Sequence, residues 1–202
     1  MGNQQHWEER YRGTEPEKLT WYQAHPEQSL RWITANCKPE QALIDIGAGA
    51  STLVDHLLEL GYGDITLLDL SAQSLQESRA RLGSRADQLQ LITADITNWL
   101  PIKEYVLWHD RAVFHFLTDA TDRAAYKKSL LAGLPVGGIL IMATFAISGP
   151  EKCSGLPIVQ YSAESLQVEL GPQFKLLETL QEQHPTPAGN SQLFNWCLFR
   201  RK

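Results

Sequence analysis

From residue 41 onward, short runs of apolar, mostly branched residues alternate with segments whose apolar positions recur at helical spacing. That alternation predicts βαβ units, because neighbouring parallel strands need a crossover and the crossover is usually a helix. The first strand is read at Ala42 to Ile46, followed by a glycine-containing turn and a helix from near Ser51 to a glycine cap at Gly61. Ile65 to Leu68 is the second strand. Ser71 can cap the next helix, which runs to about Gly83, while Ser74 cannot complete a capping box. Leu89 to Thr93 and Tyr105 to Trp108 come next as strands three and four, then a helix from about Asp119 to Ala132 and a fifth strand at Gly138 to Thr144.

The pattern changes at both ends. Past Gly149-Pro150 come a polar loop, a helix from about Ala163 to Leu170, and two strands, Phe174 to Gln181 and Leu193 to Arg200, whose proline-containing connection favours an antiparallel hairpin. The first forty residues concentrate Trp7, Tyr11, Trp21 and Tyr22 on a segment that Gly13 and Pro16 prevent from being one helix. The whole predicts an α/β fold with a doubly wound, mostly parallel sheet of Rossmann-like type and an antiparallel C-terminal hairpin. One domain is expected, with 1–40 as an aromatic arm, 41–148 as a ligand-binding core and 149–202 as the C-terminal helix and hairpin.

Composition narrows the partners. A formal charge of −5 provides no positive field for nucleic acid or anionic lipid. Cys37, Cys153 and Cys197 are odd in number and widely spaced, which argues against a disulfide framework and a zinc site and fits reducing cytoplasm. The polar N-terminus lacks the apolar run of a signal peptide, and no stretch approaches the roughly 20 apolar residues of a membrane span. Met1-Gly2 begins like a lipidation site, but His6 stands where that pattern wants Ser or Thr.

Ligands on doubly wound sheets bind at the carboxyl ends of the strands, where the strand order reverses. Here the first strand runs into Asp45-Ile46-Gly47-Ala48-Gly49-Ala50-Ser51, whose glycines let backbone approach a ligand. Thr52 replaces the third small residue of the dinucleotide fingerprint, and no lysine comes after it as in a phosphate-cradling loop, so the turn suits a ligand without phosphates. Asp69 ends strand two about 20 residues past Gly49, the spacing at which a carboxylate accepts from ribose hydroxyls. Asp95 ends strand three, where its carboxylate can take the exocyclic amine of adenine. Each acid also has a structural alternative: Asp45 as a prop for the glycine loop, Asp69 or Asp95 as the cap of the next helix.

These residues resemble the class I, or seven-β-strand, methyltransferases that use S-adenosylmethionine. Leu43 to Gly49 looks like the family's glycine-rich motif, Leu68-Asp69-Leu70-Ser71 like its ribose-binding acid, Ala94-Asp95-Ile96 like its adenine-binding acid, and Leu134 to Gly138 like its turn before strand five. The resemblance implies S-adenosylmethionine as cofactor, S-adenosylhomocysteine as product, and a binding set of Trp21, Asp45, Gly47, Ala48, Gly49, Asp69, Leu70, Asp95, Ile96 and His109. Trp7-Glu8-Glu9-Arg10-Tyr11 with Trp21-Tyr22 is similar to the opening of several protein-lysine methyltransferases, whereas Trp108-His109-Asp110-Arg111-Ala112 resembles the motif after strand four of thiopurine-type enzymes. The acceptor implied is therefore a small molecule or a protein lysine.

Methyl transfer from a sulfonium is an in-line displacement that needs alignment and a dry pocket. Where the acceptor must lose a proton, His109, Asp110 and His115 are candidate bases by position, with Arg111 beside the first two; the structural alternative closes strand four with Arg111 paired to Asp110. His115 sits among Phe114, Phe116 and Leu117, where a core histidine is the commoner outcome. The aromatics of the arm can roof the site, since aromatic faces attract sulfonium and ammonium groups, or simply dock the arm. Cys153 and His184 are placed in loops that can reach the acceptor, or are ordinary loop residues. Two rival functions are a nicotinamide-dependent reductase, disfavoured by Thr52 and the lack of a Tyr-x-x-x-Lys pair, and a non-catalytic nucleoside-binding module.

Overall fold

The computed structural model describes residues 4–202; the Met1-Gly2 pair lies outside them. Its centre is β1, Leu43–Ile46, four buried residues that pair in parallel with β2 (Ile65–Asp69) on one side and β4 (Leu107–Arg111) on the other. With β3 (Leu89–Thr93), β5 (Ile139–Phe145), β9 (Ser191–Arg201) and β8 (Phe174–Pro185), the seven strands run in the order β3-β2-β1-β4-β5-β9-β8. The β5–β9 and β9–β8 pairs are antiparallel, and the other four pairs are parallel. The chain winds outward from β1 in both directions, so the order reverses between β1 and β4, and the carboxyl ends of the two strands diverge there into a crevice.

Both faces of the sheet are covered, as a parallel sheet requires. On one face α2 (Glu27–Asn36), α3 (Leu53–Glu59) and α4 (Ala72–Leu82) enclose Leu43, Leu67, Ile141 and Trp196; on the other, α5 (Ala120–Gly133) and α6 (Ala163–Leu170) enclose Ile44, Trp108, Leu140 and Phe199. Ser71 caps α4 through its side chain, which accepts from the Ser74 amide at 3.2 Å.

Four expectations move. The fourth strand lies at Leu107–Arg111 instead of Tyr105 to Trp108, because parallel pairing with β1 fixes its register, Leu43 opposite Leu107 and Ile46 opposite Asp110. His109 and Asp110 are thus inside the strand. Second, the arm contains α1 (Gln4–Arg12), a 3-10 turn at Pro16–Lys18 and α2, none of which the aromatic-rich composition signals. Third, the polar segment after β5 folds a small hairpin, β6 (Lys152–Cys153) with β7 (Leu156–Pro157). Fourth, β8 and β9 extend to Pro185 and Ser191, which pair with each other at the tip of the hairpin; a proline is tolerated there because β8 is an edge strand. Among the described residues no helix is long and apolar enough to cross a membrane. The three cysteines are free and buried.

Candidate active site

The turn after β1 is a tight left-handed passage. Gly47 and Gly49 have φ of +63° and +54°, a region that costs a residue with a Cβ about 1–2 kcal/mol. Gly47 and Ala48 both donate to the Leu68 carbonyl, at 2.7 and 3.2 Å, which ties the turn to the end of β2. From α4, the Ser78 hydroxyl donates to the Gly49 carbonyl at 2.9 Å, and the Arg81 guanidinium donates to the carbonyls of Ala50 and Ser51 while pairing with Asp55. The loop is thereby held on three sides.

Asp69 stands at its centre. One carboxylate oxygen accepts from the Gly49 amide and the other from the Ser71 amide, both at 2.8 Å. The acid therefore both props the glycine loop and caps the turn into α4, yet each oxygen keeps a lone pair for a further donor. Burial pushes its pKa up to about 6, against the opposing pull of those two amides. One cavity joins Asp69 to Gly47, Leu70, Asp95 and Ile96, so the carboxyl ends of β1, β2 and β3 open into shared space. Asp95 accepts from the Thr97 amide and hydroxyl at 2.9 and 2.7 Å through one oxygen.

The arm roofs this cavity. Trp7, Tyr11 and Trp21 line it together with Val113, Phe116 and Cys153, and Trp7 meets Trp21 and Phe116 edge to face at centroid distances of 5.8 and 5.2 Å. Two contacts pin the arm across the mouth. The Glu8 carboxylate accepts from the Ala72 and Gln73 amides at 2.8 and 3.3 Å, capping α4 with a negative charge, and Arg10 Nε donates to the Ser154 hydroxyl at 2.8 Å in the β6–β7 turn. Replacing Glu8 by alanine is expected to cost about 1 kcal/mol, the usual worth of a helix cap. Limited trypsin digestion checks it: cleavage after Arg10 or Arg12 accelerates several-fold when the arm loses its latch.

The expected site residues divide between two cavities. Asp45, Ala48 and His109 line a second one, with Tyr22 and Ser29, and among the described residues only Trp21, Gly47 and Arg111 border both. His109 is buried: its Nδ1 donates to the Asp45 carboxylate at 2.6 Å and its Nε2 faces the Ser29 hydroxyl at 3.0 Å. Gly49 borders neither, because the Tyr11 hydroxyl lies only 2.2 Å from where its Cβ would be. Asp110 points to the opposite face, where it accepts from the Tyr126 hydroxyl at 2.7 Å and the amides of Val113 and Phe114 at 3.0 and 3.3 Å. Burial lifts its pKa to about 6.

Arg111 does not turn to Asp110. Its Nη1 donates to the Trp21 carbonyl at 3.0 Å, and the guanidinium stacks on Phe194 of β9 at 4.7 Å. His115 lies in the core, where its Nδ1 accepts from the Phe145 amide at 3.3 Å and burial depresses its pKa to about 3, leaving it neutral. His184 binds the Thr20 carbonyl at 2.9 Å, fastening the arm to β8. Sequence reasoning missed Glu8, Ser29 and Tyr126 as partners of these groups. Tyr126 is one polar residue on an otherwise ordinary helix, and nothing local marks it.

The sequence pattern of a family described as a methyltransferase domain matches residues 44–142, the stretch from β1 to β5. Among curated proteins, the chain is 27% identical over 97 residues to a mouse (Mus musculus) eEF1A lysine and N-terminal methyltransferase, covering 48% of this chain and 14% of that one. It is 26% identical over 124 residues to malonyl-[acyl-carrier protein] O-methyltransferase 1 of Ilyobacter polytropus, covering 61% and 45%. The match thus spans less than half the length of either relative. Among solved structures, an S-adenosylmethionine-dependent methyltransferase of Anabaena variabilis superposes with a TM-score of 0.76 at 16% identity, over 98% of this chain and 93% of that one. The N-methyltransferase NodS of Bradyrhizobium japonicum, solved with S-adenosylhomocysteine, gives 0.73 at 15% identity over 98% and 97%. With the strand order, the glycine turn and the row of strand-end acids already described, these likenesses show that the chain has the fold of the S-adenosylmethionine-dependent methyltransferases and, over residues 44–142, the sequence pattern of a methyltransferase domain.

Proposed function

We propose that the enzyme binds S-adenosylmethionine along the carboxyl ends of β1 to β3 and methylates a small acceptor that enters beneath the aromatic arm. The observation that carries this reading is the single cavity joining Gly47, Asp69, Leu70, Asp95 and Ile96. Its donors and acceptors fit the group: Asp69 has spare lone pairs for two ribose hydroxyls, Asp95 has one oxygen free of intramolecular bonds for an adenine amine, and Leu70 and Ile96 offer apolar surface to the base. When bound, the cofactor supplies an electrophilic methyl group whose transfer discharges the sulfonium.

The chain's part is then to align and to keep dry. Trp7, Trp21 and Phe116 exclude water, and Gly47 lets the ligand approach the β1 turn. His109, held between Asp45 and Ser29, and Trp21 complete the wall on the β4 side. We assign Asp110 a positioning role, since both its oxygens are engaged in holding the turn after β4. The arm pinned across the mouth favours a small acceptor over a lysine on a folded protein. Arm, core and C-terminal segment act as one unit, and the charge of −5 with three reduced thiols fits a cytoplasmic enzyme whose acceptor is neither nucleic acid nor lipid.

Calorimetric titration with S-adenosylhomocysteine tests the reading; binding is expected, and its absence would sink it. The same titration across pH tests the place of Asp69. Ribose hydroxyls donate to the ionised carboxylate, whose pKa in the ligand-free protein is raised to about 6, so affinity is constant above that pH. Below it the affinity falls by roughly tenfold per pH unit, as protonation competes with the ligand. An affinity unchanged between pH 7 and 5 removes Asp69 from the ribose.

A further inference from the structure

Arg111 is a buried cation with an unfinished set of partners. Of its donors, Nη1 serves the Trp21 carbonyl, but Nε and Nη2 are shut off from solvent and bonded to nothing among the described residues. Those two nitrogens form one edge of the planar guanidinium, the edge that takes both oxygens of a carboxylate side by side. A buried donor left without an acceptor costs about 1–3 kcal/mol, more for a charged group, so an anion arriving at this edge recovers what the free protein forgoes.

The protein's own acids do not fill the place. Glu182 and Asp45 both act on Arg111 through space, yet neither comes within ion-pair distance. Glu182 accepts from Trp196 Nε1 at 2.7 Å and from the Gln23 amide at 3.4 Å, and Asp45 accepts from His109 at 2.6 Å. The Phe194 ring beneath the guanidinium fixes its plane. Phe194 lies on β9, two strands past β4, where it pairs with Phe145 at the end of β5, away from the β1–β3 side that carries Asp69 and Asp95. Arg111 itself ends β4, on the β5 side of β1 and away from the strands that carry Asp69 and Asp95, and it lines the same cavity as Trp7, Trp21 and Phe116.

We propose that Arg111 is the receptor for a carboxylate on the methyl acceptor, and that the acceptor is a small aromatic acid. This rests on the cofactor site proposed above and names the substrate class for it. The cofactor also carries a carboxylate, and the experiment separates the two sources.

Wild-type protein and the variants Arg111→Met and Arg111→Lys are titrated with S-adenosylhomocysteine and with 5′-methylthioadenosine, which lacks the amino-acid part. Each is then saturated with S-adenosylhomocysteine and titrated with benzoate and indole-3-acetate, and with the corresponding primary amides. The expected result is binding of the acids and not the amides by the wild type. Arg111→Met should lose at least tenfold in acid affinity with less than a twofold change for S-adenosylhomocysteine. Arg111→Lys, which keeps the charge and loses the fork, should fall between and serves if the methionine variant does not fold. If Arg111→Met or Arg111→Lys weakens S-adenosylhomocysteine but not 5′-methylthioadenosine, the carboxylate is the cofactor's and the proposal falls. Equal response to acids and amides, or none to either, overturns it too. Failure of the wild type to bind S-adenosylhomocysteine at all overturns the cofactor reading instead.

Discussion

Replacing Gly47 by alanine is expected to destabilise the protein by roughly 2–5 kcal/mol, combining about 1–2 kcal/mol for a Cβ in left-handed backbone with about 1–3 kcal/mol for overpacking. The added methyl would lie 2.1 Å from Val113 Cγ2, at a φ of +63°. Val113 cannot yield freely, because its amide is bonded to the buried Asp110 carboxylate. The strain would spread into both neighbouring turns at once. Chemical denaturation measures the loss. The double variant Gly47→Ala with Val113→Ala separates the two causes: it relieves the collision and leaves the backbone cost, so the pair should be less destabilised than the two single changes added together. A Gly47→Ala protein within about 1 kcal/mol of wild type would mean that the turn is not held as described.

Asp69→Ala has the largest expected effect on function. The carboxylate makes two amide bonds in the free protein and is proposed to make two more to ribose, so its removal is expected to weaken S-adenosylhomocysteine binding by about 1.5–3 kcal/mol, or roughly 10- to 150-fold. Asparagine is no substitute. Its amide nitrogen would face either the Gly49 or the Ser71 donor, leaving one of those buried groups opposed by another donor. Both variants are therefore expected to bind weakly by calorimetry while their thermal transitions show a folded core. An affinity equal to wild type in both would detach the acid from the ligand.

Much of this fold is legible because short, one-sided patterns carry it. Leu89–Thr93 and Ala163–Leu170 lie where the alternation of apolar and polar residues puts them, and Ser71 caps α4 as its place before an amphipathic run requires. The fourth strand is displaced from its expected position for a physical reason. His109, Asp110 and Arg111 read as a polar strand end, and only tertiary partners, Asp45 for the first and Tyr126 for the second, make them tolerable inside a buried strand. The arm is obscure for a related reason. Its helices gain more from docking than from their own sequences, with Glu8 spending its charge on a helix 64 residues away.

The site is legible in part. Strand-end acids at the right spacing are a local signal, and Gly47, Asp69, Leu70, Asp95 and Ile96 do border one cavity. The fate of the Trp108 to Ala112 stretch is not legible, since strand alternation sends His109 and Asp110 to opposite faces and the sequence does not say which face holds the ligand. Nor can it show that Arg111 has two donors to spare, a property of how Glu182 and Asp45 are committed elsewhere.

The placement of the tryptophans has a practical side. Of six in the chain, Trp7 and Trp21 line the cavity, while Trp32, Trp108 and Trp196 are sealed within the two cores. A purine or an aromatic acid settling beneath the arm would stack near these two indoles and leave the sealed ones in unchanged surroundings. The arm thus equips the enzyme with its own fluorescent gauge of occupancy, readable without any label.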